Sequence, residues 1–254
     1  MAEEAEGQDT GAEASASGVD PTAMALVMGG AKPRWGYPLA LLSFAAGSMD
    51  AIGFLTLGNV FTSAMSGNAI LLGLALGQGR ISAATHSLAA FVGYVVGVVI
   101  ATLPLQMPKH GIERALALEC LFLAAFAGLW ITFRGPVSPL EIYALIILSS
   151  IAMGLQGAVG RAIRIPGIPT IVITRTLTAI IGTVAERLLA GDRPIFTAPT
   201  SLQVGTFLAY LASAAVTGFA VSRYSTATAL IPLMCALALV LGLELRLPGY
   251  GDVL

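Results

Sequence analysis

Asp50 sits inside an apolar run, Phe44-Ala-Ala-Gly-Ser-Met-Asp-Ala-Ile-Gly-Phe-Leu55, and Ser66-Gly67-Asn68 interrupts the apolar sequence that follows it. In hydrocarbon an unpaired polar group costs several kcal/mol, so a carboxylate and a Gly-Asn break at bilayer depth should face protein or a water-filled cavity. Helical spacing puts Gly47, Asp50 and Phe54 on one face. From there Asp50 can fix packing by hydrogen bonding to a neighbouring helix, or hold a proton, a cation or a polar substrate. Ser66, Gly67 and Asn68 can break a helix and free backbone carbonyl and N–H groups to coordinate an ion or small solute. The plainer alternative is a loop at the bilayer surface.

A second polar group, Thr174-Arg175-Thr176 with Thr178, follows Pro166-Gly-Ile-Pro169. Arg175 has three uses open to it: counter-charge to Asp50, contact to an anion, or snorkelling to the headgroups. Glu119 and Glu186 fall within about a helical turn of the ends of their apolar runs, which suggests interfacial positions. Nucleophilic catalysis would need a base at Ser66. The Ser66-Gly67 pair is faintly similar to the Ser-Gly of intramembrane serine proteases, but His86 opens the next run near an interface. No phosphate-binding loop, HExxH or spaced carboxylate pair is present, so no catalytic residue, metal or cofactor is assigned and the chain is not read as an enzyme. Cys120 and Cys235 each lie in an apolar run, without the pattern of a disulfide framework or a CxxC metal site.

The elements that must position these residues are membrane spans. The chain has 254 residues, 56% hydrophobic and 11% charged, with mean hydropathy +0.86, the composition of a polytopic membrane protein whose first partner is the lipid bilayer. Glu3, Glu4, Glu6, Asp9, Glu13 and Asp20 all precede the first base, Lys32, and residues 1–32 read as a disordered acidic tail with no signal-peptide pattern. Beyond it eight acids face thirteen bases, a balance suited to an anionic lipid surface and far from a nucleic-acid footprint. Lys32, Pro33, Arg34, Trp35 and Tyr37 form a basic and aromatic collar, which predicts a cytoplasmic N-terminus.

Eight runs approach the length of about 20 apolar residues needed to cross: roughly 38–57, 61–78, 85–105, 115–133, 141–160, 169–190, 201–221 and 227–245. The second and sixth are the most polar and could be discontinuous or re-entrant, which sets six to eight spans. With eight, and Arg175 left uncounted because it lies within a run, the other twelve bases divide seven inside to five outside, a mild bias.

An internal repeat organises the runs. Gly47-Ser-Met-Asp50 matches Gly154-Leu-Gln156, Met65-Ser-Gly-Asn68 falls opposite Ile173-Thr-Arg-Thr176, Phe91-Val-Gly-Tyr94 opposite Phe207-Leu-Ala-Tyr210, and Cys120 opposite Cys235, at offsets drifting from 106 to 116. Two halves follow, about 38–134 and 141–246. Broken hydrophobic segments at corresponding positions of two halves point to a transporter-like site between them. Four crossings per half would make the repeats parallel; three crossings and one re-entrant run would make them inverted. Gly73 and Gly77, Gly93 and Gly97, Gly47 and Ala51, and Gly154 and Ala158 are each four apart, as in small-residue helix-packing faces.

At Gly47-Ser-Met-Asp-Ala-Ile-Gly-Phe-Leu55 and Val60-Phe-Thr-Ser-Ala-Met-Ser-Gly-Asn68 the chain resembles the bacterial YoaK-like membrane proteins, the DUF1275 (UPF0700) family. Gly154-Leu-Gln156 and Thr170-Ile-Val-Ile-Thr174-Arg-Thr-Leu-Thr178 resemble the family's second motif, with Thr174-Arg175 where the family pattern has Thr-Gly. The resemblance spans about 38–246 and implies a multi-pass protein of the bacterial inner (plasma) membrane.

These observations predict an all-α polytopic membrane protein: a tail over 1–32, one transmembrane domain over 33–246 containing two repeats with interrupted helices, and a short tail over 247–254. The expected function is transport of a small solute through a polar site of Asp50, Ser66, Gly67, Asn68, Gln156, Thr174, Arg175 and Thr178, with a coupling ion and homo-oligomerisation left open. A non-transporting scaffold or assembly factor is the rival reading, and an intramembrane serine hydrolase a lesser one.

Overall fold

The structure, a computed structural model, describes residues 36–107, 109–133, 138–163 and 173–245. The acidic tail, the basic collar up to Trp35, Pro166–Thr170 and the C-terminal tail lie outside the described residues. Contacts divide the chain at Lys32/Pro33, and all described residues belong to the unit Pro33–Leu254.

Among the described residues the secondary structure is helical: α1 (Gly36–Thr56), α2 (Met65–Gly77), α3 (Ile81–Leu105), α4 (Gly111–Phe133), α5 (Pro139–Ala162), α6 (Ile173–Ala190), α7 (Ala198–Arg223), the single turn α8 (Ser225–Thr228) and α9 (Leu230–Glu244). Local chemistry sets several ends. Gly58 at φ +83° and Asn59 at φ +61° take the left-handed conformation that stops α1. Ser138 and Glu141 form a capping box at the start of α5, with Pro139 in its first turn. The Thr197 side chain accepts from the Thr200 N–H to begin α7.

Among the described residues six segments are long and apolar enough to cross a membrane: α1, α3, α4, α5, α7 and Thr226–Glu244, three in each half. At about 1.5 Å per residue, the thirteen residues of α2 span about 20 Å against a hydrocarbon core of about 30 Å. The second run is short because residues 57–64 leave the helix. α6 carries Arg175, Glu186 and Arg187 on an amphipathic sequence. The count is thus six, at the lower bound of the expectation.

Burial concentrates on α1 and α5, the first helix of each half. The most extensive packing joins α3 to α5 and α1 to α7, so the first helix of each half lies against the third element of the other. Glycines permit these approaches: a Cβ at Gly97 would strike the Ile151 carbonyl, at Gly154 the Tyr94 carbonyl, and at Gly47 the Tyr210 carbonyl. Gly73 and Gly77 meet nothing within 4 Å, so their face on α2 is not a packing face.

Two buried layers lie along α4 and α5. One gathers Met49, Ile52, Leu123, Phe126, Trp130, Leu145, Ala152 and Met153; the other gathers Leu42, Leu116, Val159, Leu239 and Leu243. Outside, Leu88, Val92, Val95, Val99 and Leu103 form an exposed stripe along α3. So continuous an apolar face is a liability in water and an ordinary surface in lipid.

Candidate functional site

Asp50 is 3% exposed, on the α1 face that meets α7. Its Oδ1 accepts from the Thr62 N–H at 2.7 Å, the Ser63 N–H at 2.7 Å and the Thr62 hydroxyl at 3.2 Å. Its Oδ2 accepts from the Ser63 hydroxyl at 2.6 Å and the Tyr210 hydroxyl at 2.7 Å. One carboxyl group thus holds the segment between α1 and α2 and ties both to α7 of the other half.

The same segment is pinned from its far side by Asn68, which is wholly buried. Its Oδ1 accepts from the Phe61 N–H at 2.9 Å and its Nδ2 donates to the Phe61 carbonyl at 2.5 Å, so the side-chain amide pairs with a backbone that has no helical partner. Gly67 lies under the Phe61 ring, where a Cβ would come within 2.7 Å. Phe61 stacks in turn on Phe54, with ring centroids 5.2 Å apart. Around this break Thr56 donates to the Ile52 carbonyl at 2.6 Å and Asn59 to the Phe54 carbonyl at 3.1 Å. Ser66, Gly67 and Asn68 thus do not break a helix, since they form the first turn of α2; the interruption precedes them at 57–64, where the Asp50 and Asn68 side chains satisfy the backbone of Phe61, Thr62 and Ser63.

The other expected site residues lie elsewhere. Ser66 is exposed on the first turn of α2. Gln156 is wholly buried on α5, and its Nε2 donates to the Leu42 carbonyl of α1 at 2.8 Å. Thr174, Arg175 and Thr178 are exposed on α6, where Thr178 donates back to the Thr174 carbonyl at 2.9 Å. Asp50, Gly67 and Asn68 thus meet in one knot, Gln156 belongs to a neighbouring seam, and the α6 residues occupy a separate surface. Thr62, Ser63 and Tyr210 belong to the knot although they were not expected as site residues. Thr62 and Ser63 fall inside the quoted motif, and Tyr210 is the repeat counterpart of Tyr94, a pairing that signals its position.

Glu119 departs from its expected interfacial place. α4 begins at Gly111 rather than 115, so Glu119 is two turns inside the helix, and it is wholly buried.

Chemically, the knot is saturated. A carboxylate offers about four lone-pair sites, and five donors already converge on Asp50. In this arrangement it is a fastener, and it becomes available to another ligand only when the 57–64 segment or α7 withdraws.

This is a polytopic helical membrane protein built from two halves that exchange packing partners. The chain belongs to the DUF1275 family, whose model, described as "Protein of unknown function (DUF1275)", matches residues 39–243. It is similar to the UPF0700 transmembrane protein YoaK of Bacillus subtilis (strain 168), with 34% identity over 217 residues covering 83% of this chain and 95% of that relative. No solved structure matches.

Proposed function

We propose that the protein is a small-solute transporter or permease of the bacterial inner membrane, with a cytoplasmic N-terminus and two inverted repeats. The observation that carries this reading is the Asp50 knot, where the carboxyl that holds a break in one half also accepts from Tyr210 on a helix of the other. Discontinuous elements at the interface of two repeats are where transporters place their sites, and rocking of one repeat against the other gives alternating access.

Six crossings also account for the charges. Counted that way, Lys32, Arg34, Lys109, Arg114, Arg161, Arg164, Arg175, Arg187, Arg193 and Arg246 fall on the cytoplasmic side and only Arg80, Arg134 and Arg223 outside. Ten to three is a far stronger positive-inside bias than eight crossings give. Three crossings per half invert the second repeat, so α2 belongs to the outer side and α6 to the inner. Withdrawal of Thr62 and Ser63 from Asp50 then acts as the opening step, exposing the carboxylate to a solute or coupling ion.

A scaffold role is favoured by one observation, the saturation of Asp50. Thiol accessibility separates the two. In a Cys120→Ala, Cys235→Ala background, single cysteines at positions 62, 63 and 68 are treated with a membrane-impermeant maleimide in right-side-out and inverted vesicles. An alternating-access protein labels at these positions, with modification changing when candidate solutes are added; a scaffold labels from neither side.

A further inference from the structure

Glu119 is a carboxyl group with 0% exposure, and neither of its oxygens has a hydrogen-bond partner. Gln156, also at 0%, is half satisfied: its Nε2 donates to the Leu42 carbonyl while its Oε1 has no partner. The two residues share a seam. α4 and α5 are consecutive, pack extensively and run antiparallel. The lower layer contains Leu116 of α4 and Val159 of α5, and the upper contains Leu123 of α4 with Ala152 and Met153 of α5. Between those layers, about one turn from each, stand Glu119 and Gln156.

A buried polar atom without a partner is destabilising, and a charged one more so. Three unpartnered acceptor oxygens at one level therefore call for a donor or a cation. Hard metal ions want many more oxygens, six to eight for calcium, and no cluster of three or more His, Cys, Asp or Glu suited to a metal occurs among the described residues. A proton needs only one acceptor. We propose that Glu119 is a proton-binding site, a neutral carboxylic acid whose O–H donates to Gln156 Oε1, completing a chain from α4 through the Gln156 amide to the Leu42 carbonyl of α1. The proton comes from solvent and stays on the carboxyl, so no other reactant is involved.

Among the described residues no charged group stands ready to take the proton's place. The titratable side chains on the elements packed against α4 are His86 and Tyr94 on α3, Glu141, Tyr143 and Arg161 on α5, Cys235 and Glu244 on α9, and, on α1, whose Leu42 and Met49 share the two layers, Tyr37 and the Asp50 already held in its knot; α8 has none. None of them hydrogen bonds to Glu119, and Arg161 and Glu244 are exposed. On α4 itself the adjacent titratable group is Cys120. Ionising Glu119 leaves a buried charge and reopens the Gln156 acceptor, so the seam loosens as pH rises. This inference does not depend on transport.

The test is an infrared pH titration of the full-length protein in phosphatidylethanolamine–phosphatidylglycerol vesicles. A protonated-carboxyl C=O band is expected at pH 7, lost on alkalinisation, absent from Glu119→Gln, and shifted to higher frequency in Gln156→Leu. Glu119→Gln, whose amide can still donate to Gln156 Oε1, should melt like the parent at neutral pH and lose the alkaline fall in stability; Glu119→Ala should melt lower. No such band in the parent at pH 7, or the same band in Glu119→Gln, overturns the proposal. So does stability that rises with sodium chloride and not with choline chloride, the signature of a cation site. The parent's own titration decides the matter if a variant fails to fold.

Discussion

Replacing Asp50 tests the knot because its five donors are of two kinds. Two are backbone N–H groups of Thr62 and Ser63, which lie outside any helix and have no alternative acceptor. Three are hydroxyls, which can rotate. Asp50→Ala orphans both N–H groups at about 1–3 kcal/mol each, so about 2–6 kcal/mol is lost before the hydroxyls are counted. Asp50→Asn keeps the oxygen that accepts the N–H groups and places an amide NH₂ where Ser63 and Tyr210 can turn to accept from it, so only the charge assistance is lost, about 1–2 kcal/mol. Tyr210→Phe removes a single bond to the carboxylate. Such bonds contribute about 1.5–3 kcal/mol in water-soluble proteins, whereas interhelical bonds in a bilayer average about 0.6, and we expect about 1.5 for this charged one. The readout is thermal unfolding in detergent micelles in a Cys235→Ala background, followed by a fluorogenic thiol reagent that reacts as the buried Cys120 becomes exposed. For a domain of this size each kcal/mol moves the midpoint by about 2–4 °C. The order should be parent, Tyr210→Phe and Asp50→Asn, with Asp50→Ala well below. If Asp50→Ala melts with Asp50→Asn, the backbone donors are not what Asp50 holds, and the reasoning fails.

Asn68→Ala should lower the same midpoint by about 2–6 kcal/mol equivalent, because it strands both the N–H and the carbonyl of Phe61; Asn68→Asp keeps one of the two bonds and should fall between. Gly97→Ala and Gly154→Ala force α3 from α5 and should cost about 1–3 kcal/mol, while Gly73→Ala enters open space and should be neutral or stabilising by up to about 1 kcal/mol. For the membrane topology, cysteines replacing Gln78 or Arg80 should label from outside intact cells, and those replacing Lys109 or Asp192 only after permeabilisation. Eight crossings would reverse the pattern at Arg80 and Lys109, so labelling chooses between the two arrangements.

What could be read from the sequence followed from how each signal arises. Span existence depends on total apolarity, which survives any arrangement, and every long run became a helix within a few residues of its expected bounds. Whether the second run crosses depends on Thr62, Ser63 and Phe61, which resemble helix residues in composition and leave the helix only because Asp50 and Asn68 offer their backbone other partners. That choice is tertiary, and no local window contains it. The repeat was visible because both halves need glycine where a carbonyl of the opposite half presses close, as at Gly47 and Gly154. The correspondence of Met65–Asn68 with Ile173–Thr176 extends to burial, with Ser66 and Thr174 exposed and Asn68 and Thr176 buried, but it does not bring Thr174, Arg175 and Thr178 to the Asp50 knot, because they lie on the exposed face of a separate helix. Glu119 went wrong for a geometric reason. Glu113 and Arg114 made the run seem to start at 115, but helix geometry tolerates a polar first turn, and beginning at Gly111 carries Glu119 two turns inward. An acid four residues from a supposed end is interfacial; an acid eight residues from the true one, on the face of Leu116 and Leu123, faces the core, and the hydrogen bond it needs must come from its own proton.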